Sequence, residues 1–322
     1  MKAIVQDAYG TVEALELRDI GRPEPRDDEV LLRVHAAGVD PSVWHLMTGL
    51  PYLARLGFGL RRPKSSVRGW DGAGRVEAVG AKVAEFKPGD EVFGTCDGSF
   101  AEYACPKADK LALKPTGLSF EEAAVLPSSG MTALQALRGT ARPQAGRKVL
   151  VIGASGGVGT YTVQLAVSHG ADVTGVCGPR SADHVRSLGV TDVVDYTREE
   201  ITDRPHRYDV IVDTAGNRPL SLLRRALAPR GTLVIVGGEG GGRVLGGMGR
   251  NLRAVALSPF LRQNLRFILA FPRREDLLTL KELAENGTLV PVIDHAYPLE
   301  EAPEAIRHLE KGHPRGKLVI TV

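Results

Sequence analysis

This sequence has little cysteine and no long apolar run. Its 3 cysteines, Cys96, Cys105 and Cys177, lie far apart and form no C-x-x-C pair. A disulfide framework is therefore not predicted, and we expect a reducing compartment, with the cytoplasm as the default. No run of about 18 apolar residues occurs, so no membrane-spanning helix is predicted. The N-terminus, MKAIVQDAYG, lacks the apolar region of a secretory signal peptide.

The sequence also has almost no excess of charge. The 41 Lys and Arg against 38 Asp and Glu give a formal net charge of +3. No long basic run occurs, and basic residues do not alternate with aromatic ones, so we predict no nucleic-acid partner. A hydrophobic content of 43% is ordinary for a globular protein, and 322 residues predict about two domains.

Two kinds of sequence pattern follow one another along the chain. Residues 1–115 hold short β-type runs, such as KAIVQ and EVLLRVHAAGV, separated by turn signals, which predicts an all-β or partly open barrel unit. Ser119 and Glu122 have the spacing of a helix capping box. From residue 148, Val- and Ile-rich runs alternate with helical segments, which predicts a parallel sheet covered on both faces.

The C-terminal part is mixed. In PFLRQNLRFILAF, helical spacing of Leu261, Leu265, Ile268 and Leu269 predicts an amphipathic helix. Two more helices and a closing strand, GKLVITV, are predicted after it. The glycine-rich stretch 237–250 is interpreted either as a loop or as backbone that passes close to a ligand.

A glycine turn stands between the first predicted strand of the alternating region and its helix. In VIGASGGVGTYTVQLA, residues 151–166, the dinucleotide fingerprint is A-x-G-x-x-G, with Gly156 and Gly159 in its last two positions. We expect Gly156 to let the backbone approach a diphosphate and Gly159 to let helix and strand pack closely. The strand–turn–helix context favours a cofactor site over a merely structural turn.

The next strand indicates which dinucleotide is bound. NAD sites carry an acid about 20 residues after the fingerprint, at the tip of the second strand. Here that strand, DVTGVC, ends in Gly178-Pro179-Arg180, and Asp172 lies at its other end. An arginine suits a ribose 2′-phosphate, so we predict NADP(H) rather than NAD(H), with Tyr196 packing on the adenosine.

Several stretches in the same order carry a family resemblance, among them VHAAGVDPSVWHLMTG, RGWDGAGRVEAVGAKVAEFKPGDEVFG, GASGGVGTYTVQLA and YDVIVDTAG. The chain resembles the zinc-free quinone oxidoreductase (zeta-crystallin-like) branch of the medium-chain dehydrogenase/reductase superfamily. The resemblance implies an α/β fold, with a GroES-like β-barrel catalytic domain and a Rossmann doubly wound parallel sheet. We expect residues 1–118 and 262–322 in the catalytic domain and 119–261 in the Rossmann domain.

The resemblance also argues against zinc. In the zinc alcohol dehydrogenases of the superfamily, a Cys and a Gly-His-Glu stand where this chain has Asp40 and Gly69-Trp70-Asp71. The histidines, including His35, His45 and His295, form no paired set, so we predict no metal. Without a Lewis acid to hold an alkoxide, hydride transfer to an activated acceptor is favoured over oxidation of an alcohol.

The predicted activity is NADPH-dependent reduction of a quinone or an α,β-unsaturated carbonyl compound. The alternatives are a C=C reductase of one enoyl or alkenal metabolite, and a non-catalytic NADPH-binding protein. Such an acceptor needs alignment with the nicotinamide and donors for its developing charge. A homodimer is expected because relatives pair Rossmann edge strands.

The resemblance assigns roles to individual residues. Tyr52 is the predicted proton donor or oxygen-orienting group, and Asp40, where relatives usually have Asn, either is protonated or holds the loop. Trp44, Tyr52 and Ser128 are predicted to contact substrate, with Ser129 nearby. Thr132 is expected against the nicotinamide. The remaining predicted cofactor contacts are Ser155, Gly156, Gly157, Val158, Gly159, Gly178, Arg180, Tyr196, Gly237, Gly238 and Lys317.

One loop is longer and more basic than the family resemblance implies. LARLGFGLRRPKSSVRGW carries Arg55, Arg61, Arg62, Lys64 and Arg68. It is interpreted either as a solvated loop or as a mobile lid that favours anionic or lipid-like acceptors.

Overall fold

The computed structural model describes residues 1–205, 207–238, 242–312 and 314–322. The chain forms two compact units, Met1–Met131 with Pro272–Val322, and Thr132–Phe271. In the sequence, the second unit is inserted between the two parts of the first, as the resemblance implies. The boundaries lie after residues 131 and 271, later in the chain than the predicted 118 and 261.

In chain order, the strands of the described residues are β1 (Lys2–Val5), β2 (Glu16–Asp19), β3 (Val30–Val39), β4 (Asp71–Val79), β5 (Glu91–Thr95), β6 (Tyr103–Ala104), β7 (Leu111–Leu113), β8 (Lys148–Ile152), β9 (Asp172–Cys177), β10 (Asp192–Asp195), β11 (Tyr208–Asp213), β12 (Leu227–Ile235), β13 (Asn264–Phe267), β14 (Ile293–Pro298) and β15 (Lys317–Thr321).

The α-helices of the same residues are α1 (Pro41–Thr48), α2 (Arg55–Phe58), α3 (Phe120–Ala124), α4 (Pro127–Ala136), α5 (Gly157–Ser168), α6 (Ala182–Ser187), α7 (Leu220–Ala226), α8 (Met248–Leu257), α9 (Arg274–Glu285) and α10 (Ala302–Glu310). The predicted capping box is confirmed at α3, where Ser119 Oγ accepts from the Glu122 N–H and the Glu122 carboxylate accepts from the Ser119 N–H.

The first unit is built on a mostly antiparallel sheet with the strand order β14-β15-β3-β4-β5-β7, and β6 also pairs with β3. Strand β3 is almost wholly buried, because apolar side chains on both of its faces meet the core. The closing strand β15 pairs antiparallel with β3, with Leu318 opposite Val39. The prediction that the C-terminus returns to the β-rich unit is therefore confirmed.

The second unit contains six parallel strands in the order β10-β9-β8-β11-β12-β13. Counted within the unit, this order is 3-2-1-4-5-6, that of doubly wound dinucleotide-binding sheets. The predicted Rossmann sheet is therefore confirmed. Ligands of such sheets bind beyond the carboxyl ends of the strands, where the order reverses between β8 and β11. The glycine turn follows β8 at this place.

The helix predicted in PFLRQNLRFILAF was wrong. A 3-10 turn over Ser258–Phe260 is followed by β13, which pairs parallel with β12 and sets Leu265 opposite Leu233. A short apolar segment satisfies both helical and strand periodicity, and ladder hydrogen bonds to β12 decide in favour of the strand. Because β13 belongs to the second unit, that unit extends beyond the predicted end at residue 261. Helix α8 was not predicted, and residues 239–241 of the glycine-rich stretch lie outside the described residues.

Candidate cofactor and catalytic sites

The glycine turn joins β8 to α5, which begins at Gly157 with Gly156 as its N-cap and no side chain capping it. A Cβ at Gly159 would lie 2.0 Å from the Gly153 carbonyl oxygen, so this glycine is required by packing. A Cβ at Gly156 would meet only that same oxygen, at 3.5 Å, and the φ of Gly156, −81°, suits any residue. The protein itself does not demand glycine at 156, which points to the close approach of a ligand.

This turn fits the diphosphate of a dinucleotide. A helix N-terminus without a side-chain cap offers free N–H groups and the positive end of the helix dipole to an anion. Ser155, Gly157 and Val158 lie around the same turn, partly buried. Their predicted contacts with the cofactor stay predictions.

The tip of β9 brings together the residues predicted to face the adenosine. Strands β9 and β10 end side by side, with Asp195 opposite Cys177. The Tyr196 ring lies beside Gly178, where an added Cβ would come within 3.2 Å of its Oη. Tyr196 is 46% exposed, so one side of the ring is open to a ligand.

Carboxylates near this tip are engaged elsewhere. Asp195 Oδ1 accepts hydrogen bonds from the Thr197 N–H and Oγ, and Asp183 pairs with Arg186. Arg180 is exposed and forms no ion pair within the described ranges. The tip therefore offers a cation, and a 2′-phosphate is the cofactor group that a cation recognises there.

The carboxyl ends of β11 and β12 hold a charged pair that the sequence analysis missed. Asp213 is fully buried, accepts a hydrogen bond from the Gly216 N–H at 3.0 Å and pairs with Arg250 of α8. The sequence signal was an acid that ends the apolar strand YDVIVD. Gly237 packs on the same turn, because a Cβ there would lie 2.2 Å from the Thr214 carbonyl oxygen. Gly237 and Gly238 thus have a packing reason, and their contact with a cofactor stays a prediction.

A buried ionic cluster lies in the first unit. Lys317 Nζ forms an ion pair with Asp40 Oδ1 and bonds Ser129 Oγ at 3.2 Å, and Ser129 Oγ donates to the same Asp40 oxygen at 3.0 Å. Lys317 is 3% and Asp40 4% exposed. Asp40 accepts both hydrogen bonds through Oδ1, and although it stands directly before α1, its side chain does not cap that helix. The role predicted for Asp40 stays a prediction. The predicted contact of Lys317 with a cofactor stays a prediction, since its ammonium is enclosed with Asp40.

Asp71 lies next to this cluster at the start of β4. It is fully buried, and its two oxygens bond the Ser128 N–H and Oγ, each at 2.8 Å, at the first turn of α4. Burial raises the pKa of this carboxyl well above its usual range, and the charge of Asp40 raises it further. Ser128 donates both hydrogen bonds to Asp71, so Ser128 is tied to Asp71, which the sequence analysis did not assign to the site.

The remaining predicted catalytic and substrate-contacting residues are Tyr52, Trp44 and Thr132. Tyr52 is 42% exposed on a 3-10 turn, with the Arg55 guanidinium 4.7 Å from its ring centroid. Trp44 packs on the core of the first unit, and its indole N–H donates to Glu310 at 2.7 Å. No hydrogen bond joins either residue to Asp40 in the described part of the chain. Thr132 is half-buried on α4.

The comparisons with known proteins agree with the two units described above. Residues 26–134 match the alcohol dehydrogenase GroES-like domain family, and residues 188–320 match the zinc-binding dehydrogenase family. The quinone oxidoreductase of Mus musculus is 32% identical over 99% of this chain and 97% of its own length. This chain belongs to the quinone oxidoreductase branch of the medium-chain dehydrogenase/reductase superfamily.

Two further relatives support the membership of this oxidoreductase branch. The NADPH-dependent alkenal/one oxidoreductase of Arabidopsis thaliana chloroplasts is 33% identical over 99% of this chain and 79% of its own length. The solved structure of the Coxiella burnetii quinone oxidoreductase is 29% identical, covers 100% of this chain and 99% of its own, and superposes with a TM-score of 0.87. The predicted fold class and the assignment as an oxidoreductase are therefore confirmed.

The donor set does not fit the zinc ion that one matched family name implies. Trp70 stands where zinc-binding members of the superfamily have a histidine, and the Asp40 carboxylate is already paired with Lys317. Within the described ranges, no group of three or more His, Cys, Asp or Glu side chains is placed to hold a metal ion.

Proposed function

We propose that this chain is an NADPH-dependent oxidoreductase that transfers a hydride to a quinone or an α,β-unsaturated carbonyl compound without zinc. The observation that carries the cofactor choice is the tip of β9, which ends in Gly178-Pro179 and an exposed Arg180, without an ion-pair partner among the described residues, rather than in an acid. The acceptor class rests on the quinone oxidoreductase and alkenal/one oxidoreductase relatives.

Each part of the chain has a separate task in this proposal. When bound, the nicotinamide supplies the hydride. The turn at Gly156 and the N-terminus of α5 bind the diphosphate, Arg180 binds the 2′-phosphate, and Tyr196 packs on the adenosine. We propose further cofactor contacts for Thr132 and Lys317 and substrate contacts for Trp44 and Ser128.

The cofactor choice is tested by steady-state kinetics with NADPH and NADH. We expect Arg180→Ala to lower kcat/KM for NADPH about 10- to 100-fold, because a hydrogen bond to a charged group contributes roughly 1.5–3 kcal/mol. The rate with NADH should change by less than about twofold, because NADH lacks the 2′-phosphate. Arg230→Ala is the matched control, since Arg230 is also an exposed arginine of the second unit. Equal or better use of NADH by the wild type would overturn the assignment.

The acceptor class is tested by NADPH consumption with a small quinone and with an alkenal. Turnover of either supports an enzyme of this class. No turnover of both, with NADPH still bound, would favour the non-catalytic binding protein instead.

Tyr52 is the proposed proton donor or oxygen-orienting group. Its exposed position leaves the hydroxyl accessible to a substrate. Tyr52→Phe should lower kcat about tenfold or more and alter the pH profile, because general acid catalysis contributes about 10²–10⁴-fold. An unchanged kcat and pH profile would remove Tyr52 from the chemistry and leave it a packing residue.

We also propose a homodimer in a reducing compartment, with the cytoplasm as its location. In the described residues β13 pairs with a neighbour on one side only, and Phe260, Leu269 and Phe271 beside it are 86%, 58% and 61% exposed. An open edge strand flanked by apolar side chains favours pairing with a second copy. Light scattering should give twice the monomer mass for the wild type and the monomer mass for Leu269→Glu/Phe271→Glu. A monomeric wild type would contradict the dimer.

Cell fractionation tests the proposed location, and recovery of the protein outside the cytoplasm would overturn it.

A further inference from the structure

The segment from Tyr52 to Lys64 in the first unit displays apolar side chains to solvent. Leu56 and Leu60 are 69% and 68% exposed, and Leu53 is 41% exposed. Single exposed leucines are ordinary, but three within eight residues form a local apolar surface. The structure describes no helix long and apolar enough to cross a membrane.

The same segment is basic. Residues 41–70 contain five Lys and Arg and no Asp or Glu, whereas the other 292 residues carry 36 Lys and Arg against 38 Asp and Glu, a formal charge of −2. Arg61, Arg62 and Lys64 are exposed and form no ion pair in the described part of the chain. Surface cations without acidic neighbours favour an anionic partner.

The loop that carries these side chains is held in place. The Tyr9 hydroxyl donates to the Gly59 carbonyl oxygen at 2.6 Å, and the Lys64 N–H donates to the Phe58 carbonyl oxygen at 2.9 Å. The Arg55 guanidinium lies 4.4 Å from the Tyr9 ring centroid and bonds the Gly49 carbonyl oxygen. A loop pinned at several points loses little conformational entropy when its exposed side chains are bound.

We propose that the segment Tyr52–Lys64 docks this enzyme on the surface of an anionic lipid bilayer. Leucines beside arginines and lysines match the interface, where apolar side chains enter the acyl boundary and cations meet phosphate headgroups. A bilayer accepts exposed leucines in any arrangement, whereas an acidic protein would need pockets shaped for them. The docking requires no turnover, so its test is independent of the proposed function.

The test is co-sedimentation of the full-length protein with phosphatidylcholine vesicles that contain or lack phosphatidylglycerol. We expect binding to the anionic vesicles only, weakened at high salt because screening shortens electrostatic reach. Leu56→Ser/Leu60→Ser and Arg61→Glu/Arg62→Glu should each lower the partition coefficient about tenfold or more. The first removes apolar groups that enter the acyl boundary, and the second reverses cations that meet the anionic headgroups.

A matched control separates the segment from the overall charge. Arg230→Glu/Arg253→Glu changes the formal charge equally at exposed positions of the second unit and should bind vesicles as the wild type does. All variants should keep their thermal unfolding midpoints within a few degrees. The proposal is overturned if the wild type does not bind anionic vesicles, a result that would favour an acidic protein as the partner. It is also overturned if the control variant loses vesicle binding as fully as Arg61→Glu/Arg62→Glu does.

Discussion

The ion pair between Lys317 and Asp40 should be the most costly polar interaction to break in the first unit. The Lys317 and Asp40 side chains are only 3% and 6% exposed, and Ser129 is the further hydrogen-bond partner of each. Removing one partner leaves an uncompensated buried charge, which costs about 3–5 kcal/mol. We therefore expect Lys317→Met to destabilise the first unit by about this amount.

Removing both charges should cost much less. In Asp40→Asn/Lys317→Met no buried charge remains, and the Asn side chain can still accept from Ser129 Oγ. A buried ion pair replaced by groups of similar volume is often neutral in stability. The double variant should therefore recover most of the loss, with a coupling free energy of about 2–4 kcal/mol.

Tryptophan fluorescence during urea unfolding measures the stability of the first unit, which contains the ion pair. Both tryptophans of the chain, Trp44 and Trp70, pack on the same core of the first unit. The emission therefore reports the unit that contains the ion pair. Additive effects of the two substitutions, or a loss under about 1 kcal/mol for Lys317→Met, would refute the reasoning that the pair is buried and mutually compensating.

Two further predictions concern the glycine turn and Asp71. Gly156→Ala should weaken NADPH binding at least tenfold but cost under about 1 kcal/mol of stability, since its Cβ meets no protein atom closer than 3.5 Å. Gly159→Ala, whose Cβ would overlap the Gly153 carbonyl oxygen, should destabilise the second unit by about 1–3 kcal/mol. Calorimetric titration and thermal unfolding measure the two effects, and the reverse ranking would contradict them. The raised pKa of Asp71 means that the folded state keeps a proton that the unfolded chain releases above pH ~4, so stability falls as pH rises from there towards the folded pKa. Asp71→Asn should therefore gain stability relative to the wild type between pH 5 and pH 8 in urea unfolding, and a difference independent of pH would show that Asp71 is ionised.

Local patterns predicted the elements that local contacts stabilise. The capping box of Ser119 and Glu122 spans four residues, and the glycine turn follows directly on β8, so short-range spacing was sufficient for both. The segment around β13 failed because its apolar residues fit a helix equally well. Only the pairing of Leu265 beside Leu233 gives that segment its strand conformation.

The sequence alone determined the two-unit organisation, the parallel sheet and the absence of an acid at the tip of β9. Each follows from a pattern that runs along the chain: short β-type runs, then strands alternating with helices, and the residues that end one strand. The tertiary structure alone decided the partners of the buried charges. Lys317 and Asp40 are 277 residues apart, and Ser128 and Asp71 are 57 apart. No periodicity encodes such pairs, since a buried charge is satisfied by whichever side chain the packed strands and helices place beside it.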